Sequence, residues 1–182
     1  MKSNIALIGF MGTGKSEIGR VLAGKLGWRF VEVDQLVEEM AGKTITEIFR
    51  QDGEITFREM EIEATRRVSQ GIEQVISCGG GIVLNKINTD RLKDTSRMVY
   101  LIASPRTILE RTSKDSAERP LLDVPDPAQR IRELLKSRRP FYEQTADIII
   151  DTSKLSSEAA ADHIINRLKE DESFDLRKQS DR

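Results

Sequence analysis

Gly9-Phe10-Met11-Gly12-Thr13-Gly14-Lys15-Ser16 satisfies G-x-x-x-x-G-K-[ST] at every constrained position. Before this run stands Asn4-Ile5-Ala6-Leu7-Ile8, a short apolar stretch of the kind that forms a strand buried on both faces. After it, Ile18, Val21, Leu22, Lys25 and Leu26 recur at helical spacing up to Gly27. A strand, a glycine-rich loop and a helix in that order predict a phosphate-binding loop. Its glycines let main-chain N–H groups turn inward, and the positive end of the helix faces the same point. The motif therefore predicts a bound nucleoside triphosphate, held by Gly12, Thr13, Gly14, Lys15 and Ser16. In this pattern Lys15 reaches the β and γ phosphates and the Ser16 hydroxyl ligates Mg²⁺.

The rest of the chain repeats the alternation. Apolar β-rich runs occur at 4–9, 29–33, 74–78, 97–102 and 147–150, and helical patterns fill the gaps. This predicts an α/β fold of three layers, with a five-stranded, mainly parallel sheet between two layers of about seven helices. Helix starts are marked by Thr44 with Glu47 as a capping box, by Ser104-Pro105 and Asp126-Pro127, and by Ser156 or Ser157. Residues 112–125 are polar and aperiodic between two helices, which predicts a mobile lid. Residues 170–182 are polar and charged and are expected to be a disordered tail after a single domain spanning 1–169.

With 182 residues and a net charge of −1, the chain suits one domain and offers no basic field for nucleic acid. A single cysteine excludes an internal disulfide, and no run approaches the roughly 18 apolar residues of a membrane span. The expectation is a cytoplasmic enzyme acting on a small-molecule substrate as a monomer, with no membrane or nucleic-acid partner.

A phosphate loop alone does not separate a switch GTPase, a motor ATPase and a small-molecule kinase. No Asp-x-x-Gly motif occurs, and the nearest match to a guanine-reading Asn-Lys-x-Asp, at Asn85-Lys86-Ile87-Asn88, lacks the final acid. The second strand ends Glu32-Val33-Asp34, and alternation predicts both acids on one side at its carboxyl end, where open parallel sheets bind ligands. One can hold Mg²⁺ through water while the other accepts a hydrogen bond from a substrate hydroxyl. Arg58, flanked by Phe57 and three residues before Glu61, can bind an anion in a fork, or it can form an ordinary surface ion pair. Cys78-Gly79-Gly80-Gly81 ends the third strand, where glycines permit close approach of a ligand. Of Arg138 and Arg139, one is expected to face the site and the other solvent, ahead of a helix end at Pro140. Cys78, Trp28 and His163 are assigned no chemistry.

Taken in order over roughly residues 4 to 168, these motifs resemble the shikimate kinases, small P-loop kinases of the nucleoside-monophosphate-kinase type. The resemblance rests on Gly9 to Ser16, Asp34, Ile48-Phe49, Phe57-Arg58 with Glu61, Gly79-Gly80-Gly81, Arg119-Pro120-Leu121-Leu122 and Arg138-x-Pro140-x-Tyr142. It implies transfer of the ATP γ-phosphoryl group to the 3-hydroxyl of shikimate, a step toward chorismate and the aromatic amino acids. It further implies that Asp34 holds the reacting hydroxyl, that Arg58, Arg138 and the backbone near Gly79, Gly80 and Gly81 bind shikimate, and that Phe49, Phe57, Pro120 and Leu121 pack on its ring. Arg119 would reach the transferring phosphate and Arg111 would cover the adenine. In that family the second strand usually ends Asp-x-Asp, whereas Glu32 stands first here. Its extra methylene shifts the carboxylate by about one C–C bond, so its metal role is less secure than that of Ser16. A gluconate-type kinase and a nucleotide-binding regulatory module are the competing readings; the first has less reason to keep Phe57-Arg58, the triple glycine and Arg138 together, and the second less reason to keep Lys15, Ser16, Asp34 and Arg119.

Overall fold

Strand β1 (Asn4–Ile8) alternates its side chains between two cores, and the whole architecture follows from that alternation. In the computed structural model, which describes residues 2–114, 120–171, 174 and 176, Ile5 and Leu7 face one layer. That layer contains α1 (Lys15–Leu26) and α8 (Ser157–Lys169), which supply Ile18, Leu22, Ala23, Ala160, Ala161, Ile164 and Leu168. Ala6 and Ile8 face the other layer. There they meet α2 (Val33–Ala41), α3 (Ile45–Gln51), α4 (Gly53–Val68), α5 (Lys86–Thr95) and Tyr142 of α7 (Pro127–Thr145). Helix α6 (Pro105–Lys114) packs beside α7 on a smaller cluster of Phe10, Ile108, Ile131 and Leu134, which seats the phosphate loop on apolar side chains.

The remaining strands are β2 (Arg29–Glu32), β3 (Gln74–Ser77), β4 (Ser96–Ile102) and β5 (Ile148–Asp151). All pairings are parallel and the order is β2-β3-β1-β4-β5. Five strands at the expected places confirm the three-layer α/β reading. The described residues hold eight α-helices rather than about seven, because the stretch after β2 divides at Gly42 and Asp52 into α2, α3 and α4. All four predicted N-terminal caps form: Thr44 and Glu47 as a reciprocal box, Ser104 Oγ to the Thr107 amide, Asp126 to the Gln129 amide and Ser156 to the Ala159 amide.

β1 and β3 are neighbours, yet β1 leads into α1 on one face while β3 leads toward α5 on the other. Their outgoing loops part above the carboxyl ends of the strands and leave a crevice between them, the position at which doubly wound sheets bind ligands. The phosphate loop and the triple glycine are the two loops that part there.

Four expectations need correction. Pro140 lies inside α7, which continues to Thr145; Tyr142, fully buried and stacked on Tyr100 at 4.8 Å between ring centroids, holds the turn that proline alone would break. Asp34 is not on β2, which stops at Glu32, but in the first turn of α2. Within the expected lid, residues 112–114 finish α6, because the Thr112 and Ser113 hydroxyls return to the carbonyls of Ile108 and Leu109 and so remain compatible with helix. Residues 115–119 of that segment lie outside the described residues, and Pro120–Leu122 form a 3-10 turn. In the tail, Phe174 is buried with its ring edge toward Trp28 at 6.4 Å, and Asp171 pairs with Arg97 at 2.8 Å. Burying the Phe174 side chain contributes about 1.5–3 kcal/mol, and Leu176 packs against the same cluster; residues 172, 173, 175 and 177–182 of the expected tail lie outside the described residues. Among the described residues no helix is long and apolar enough to cross a membrane.

Candidate active site

The phosphate loop keeps its shape through hydrogen bonds to its carbonyls. The Phe10 carbonyl accepts from Thr13 Oγ1 at 2.8 Å and from Lys15 Nζ at 2.9 Å, that of Gly12 from Arg111 Nη1 at 3.2 Å, and that of Thr13 from Thr152 Oγ1 at 2.9 Å. Gly14 caps α1 with φ 93°, a left-handed conformation that only glycine adopts readily, and no side chain covers the first amides of the helix. Those amides and the helix dipole make the loop an anion site.

Two clefts meet at this loop. The first, about 810 Å³, is lined by Gly12, Gly14, Lys15, Ser16, Glu32, Asp34 and Arg111, with Leu155 and Ser157 at the far side. The second, about 930 Å³, is lined by Asp34, Phe49, Phe57, Arg58, Gly79, Gly80, Gly81, Leu121 and Arg138, with Glu38 and Glu61. Met11, Asp34 and Gly80 belong to both walls. The structure thus brings together nearly every residue named from the sequence. Thr13 is buried and braces the loop instead of lining the cleft. Pro120 opens the turn that carries Leu121, and Arg119 lies outside the described residues.

In the second cleft, Arg58 on α4 is held by Glu61 and Glu54, each at 3.1 Å. Glu61 is only 1% exposed, so the Arg58–Glu61 pair is a buried positioning contact and not the surface pair the spacing also allowed. Phe49 and Phe57 lie 4.8 Å apart and form an apolar floor. Arg138 is buried under Phe10 at 5.8 Å, whereas Arg139 points outward to Glu143. The triple glycine has a steric reason: a Cβ on Gly79 would lie 2.6 Å from Asp34 Oδ1, and one on Gly81 would lie 2.7 Å from Arg58 Nη1.

Burial pushes the Asp34 carboxyl above its ordinary range, Lys15 opposes the rise and the Glu32 carboxylate adds to it. Glu61 is raised by burial too, with Arg58 pulling it back. Oδ1 of Asp34 and Oε1 of Glu61 are buried without a hydrogen-bond partner among the described residues. A buried carboxylate with a raised pKa and a vacant lone pair, at the junction of two clefts, is suited to accept a proton or hydrogen bond from a hydroxyl. Burial also raises the Cys78 thiol, which keeps it protonated and inert.

Ser16 Oγ donates to Glu32 Oε1 and lies 3.4 Å from Ser77 Oγ. These hard oxygens beside Asp34 fit a small divalent cation such as Mg²⁺. Among the described residues no group of three or more His, Cys, Asp or Glu forms a metal cage.

Sequence reasoning left Thr152 and Ser77 unnamed and gave Tyr142 no role, although its hydroxyl donates to the Gly80 carbonyl and so ties α7 to the triple glycine. Arg138-x-Pro140-x-Tyr142 was the available signal for Tyr142. For Thr152 there was only its place at the carboxyl end of the fifth strand.

A family model described as shikimate kinase matches residues 11–169. The shikimate kinase of Thermodesulfovibrio yellowstonii is 47% identical over 162 residues, covering 89% of this chain and 92% of that protein. That of Symbiobacterium thermophilum is 43% identical over 168 residues, covering 92% and 97%. The solved shikimate kinase from Acinetobacter baumannii in complex with shikimate superposes with a TM-score of 0.90 at 35% identity, over 94% of this chain and 96% of that one. With a phosphate loop, a buried carboxylate and two arginines around adjoining clefts, and with these likenesses over nearly its whole length, the chain belongs to the shikimate kinase family.

Proposed function

We propose that this chain transfers the γ-phosphoryl group of ATP to the 3-hydroxyl of shikimate, releasing ADP and shikimate 3-phosphate. The observation that carries the reading is the position of Asp34 in the wall shared by the two clefts. A phosphoryl donor in the first cleft and a hydroxyl acceptor in the second would face each other across that carboxylate.

Phosphoryl transfer asks a protein chiefly for alignment and charge neutralisation. Lys15 and the amides at the start of α1 hold the donor phosphates. Ser16 and Glu32 would hold Mg²⁺, which would neutralise charge on those phosphates. Arg58 and Arg138 hold the carboxylate of the acceptor, with Phe49 and Phe57 beneath its ring. Asp34 accepts the hydrogen bond of the 3-hydroxyl and takes its proton as the new O–P bond forms and the bond to ADP breaks. Arg111 is committed to Gly12 and Thr152 through its N–H groups, which leaves the face of its guanidinium for the adenine. Arg119 completes the charge around the moving phosphoryl group in this reading.

Coupled measurement of ADP release with shikimate, with gluconate and with no acceptor tests the assignment. Turnover only with shikimate supports it; turnover with gluconate, or none with any acceptor despite tight ATP binding, refutes it in favour of another small-molecule kinase or a regulatory module.

A further inference from the structure

Thr152 follows β5 and is only 1% exposed. Its amide donates to the Ile102 carbonyl at 2.8 Å, and its own carbonyl accepts from Arg111 Nη2 at 2.8 Å. Its hydroxyl oxygen lies 3.2 Å from Arg111 Nη1, 2.9 Å from the Thr13 carbonyl and 3.1 Å from the Ile102 carbonyl. A hydroxyl carries one proton and two lone pairs. Arg111 can only donate, so Oγ1 accepts from it and has its proton left for one carbonyl. The Ile102 carbonyl already receives the Thr152 amide, and Thr13 is nearer. The hydroxyl proton therefore goes to Thr13.

That bond orients the peptide between Thr13 and Gly14. In a planar trans peptide the C=O and N–H point to opposite sides. Holding the Thr13 carbonyl outward therefore turns the Gly14 N–H inward, toward the cleft that Gly14 lines. Gly14 sits at φ 93°, and a glycine imposes little resistance of its own to rotation of that peptide. Thr13 braces its own loop through Phe10, and Thr152 adds a restraint on this peptide from outside it.

We infer that Thr152 is a positioning residue for nucleotide binding: through the Thr13 carbonyl and Arg111 it sets the phosphate loop in the conformation that presents its amides. The inference rests on the first cleft being the ATP site, but not on the identity of the acceptor.

The test measures the affinity of the full chain for a non-hydrolysable ATP analogue with no acceptor present, together with both KM values. Thr152→Val keeps the shape and removes the hydroxyl, leaving the Thr13 carbonyl without its donor. The dissociation constant should rise on the order of tenfold, as expected when a buried group loses its hydrogen bond, with KM for the acceptor within about twofold. Thr152→Ser, which retains the hydroxyl, should restore nucleotide affinity, and Thr152→Ala should match Val. Unchanged affinity in the Val and Ala variants would overturn the inference, as would a Ser variant as weak as Val, because the methyl group would then be the part that matters. If no acceptor supports turnover but the affinities follow this order, the positioning role stands and the proposed reaction fails.

Discussion

Replacing Gly81 with alanine separates positioning of Arg58 from the stability of the fold. Gly81 has φ −98° and ψ −2°, a backbone open to alanine, so the substitution introduces a methyl group and no backbone strain. That methyl would lie 2.7 Å from Arg58 Nη1 and 2.9 Å from Nη2, where ordinary contact begins at 3.4 Å. The guanidinium must withdraw by roughly 0.7 Å, the difference between 3.4 and 2.7 Å. It is the far end of a flexible side chain, so the fold tolerates the shift; the fork held by Glu54 and Glu61 does not. Loss of one arm of a charge-assisted bond to the acceptor carboxylate costs about 1.5–3 kcal/mol, or an increase in KM of about 10- to 150-fold. The assay is steady-state kinetics with shikimate varied at saturating ATP, repeated with ATP varied, plus thermal unfolding. KM for shikimate should rise by that factor with KM for ATP and Tm nearly unchanged. A variant with the wild-type KM for shikimate, or one in which the ATP term moves instead, would refute the assignment of Arg58.

Asp34→Asn should lower kcat by about 10²- to 10⁴-fold, the usual contribution of a general base, measured by ADP release. It should also raise Tm at neutral pH: the folded-state pKa of Asp34 lies above 3.8, so folding binds a proton in that window, stability falls as pH rises through the folded pKa, and the neutral amide removes that loss. The gain should vanish below the unfolded value, and a Tm difference that persisted there would contradict the burial argument. Glu32→Ala should raise the Mg²⁺ concentration needed for half-maximal rate by roughly tenfold or more, and an unchanged Mg²⁺ titration would remove Glu32 from the metal site. Phe174→Ala should destabilise the chain by about 3 kcal/mol in denaturant unfolding without changing either KM; an unaltered midpoint would show that the tail contact contributes nothing.

Local rules were legible where the partners are close in sequence. Thr44 caps its own helix, Arg58 meets Glu61 one turn away, and β1 shows its double burial in four consecutive apolar residues, Ile5 to Ile8. Asp34 was placed at the sheet edge by a strand alternation that stops two residues earlier; it still lies at that edge because a strand end and the first turn of α2 meet there. Pro140 was misread because a local helix breaker was outweighed by the packing of Tyr142. Thr152 and Tyr142 were invisible as site supports, since their partners Thr13 and Gly80 lie 139 and 62 residues away and only the parallel sheet joins them. The steric need for Gly79 and Gly81 was equally hidden. It arises from Asp34 and Arg58, and a glycine run by itself says only that something approaches closely.

The central claim is that Asp34 separates a phosphoryl donor from a hydroxyl acceptor. Phosphorus and carbon NMR of a single-turnover mixture of this chain, Mg²⁺-ATP and shikimate tests it most directly. The account predicts one equivalent of ADP and a phosphate monoester coupled to C3 of shikimate, both formed about 10²- to 10⁴-fold more slowly in Asp34→Asn. Inorganic phosphate as the sole phosphorus product beside ADP, or an ester at another hydroxyl, would contradict it.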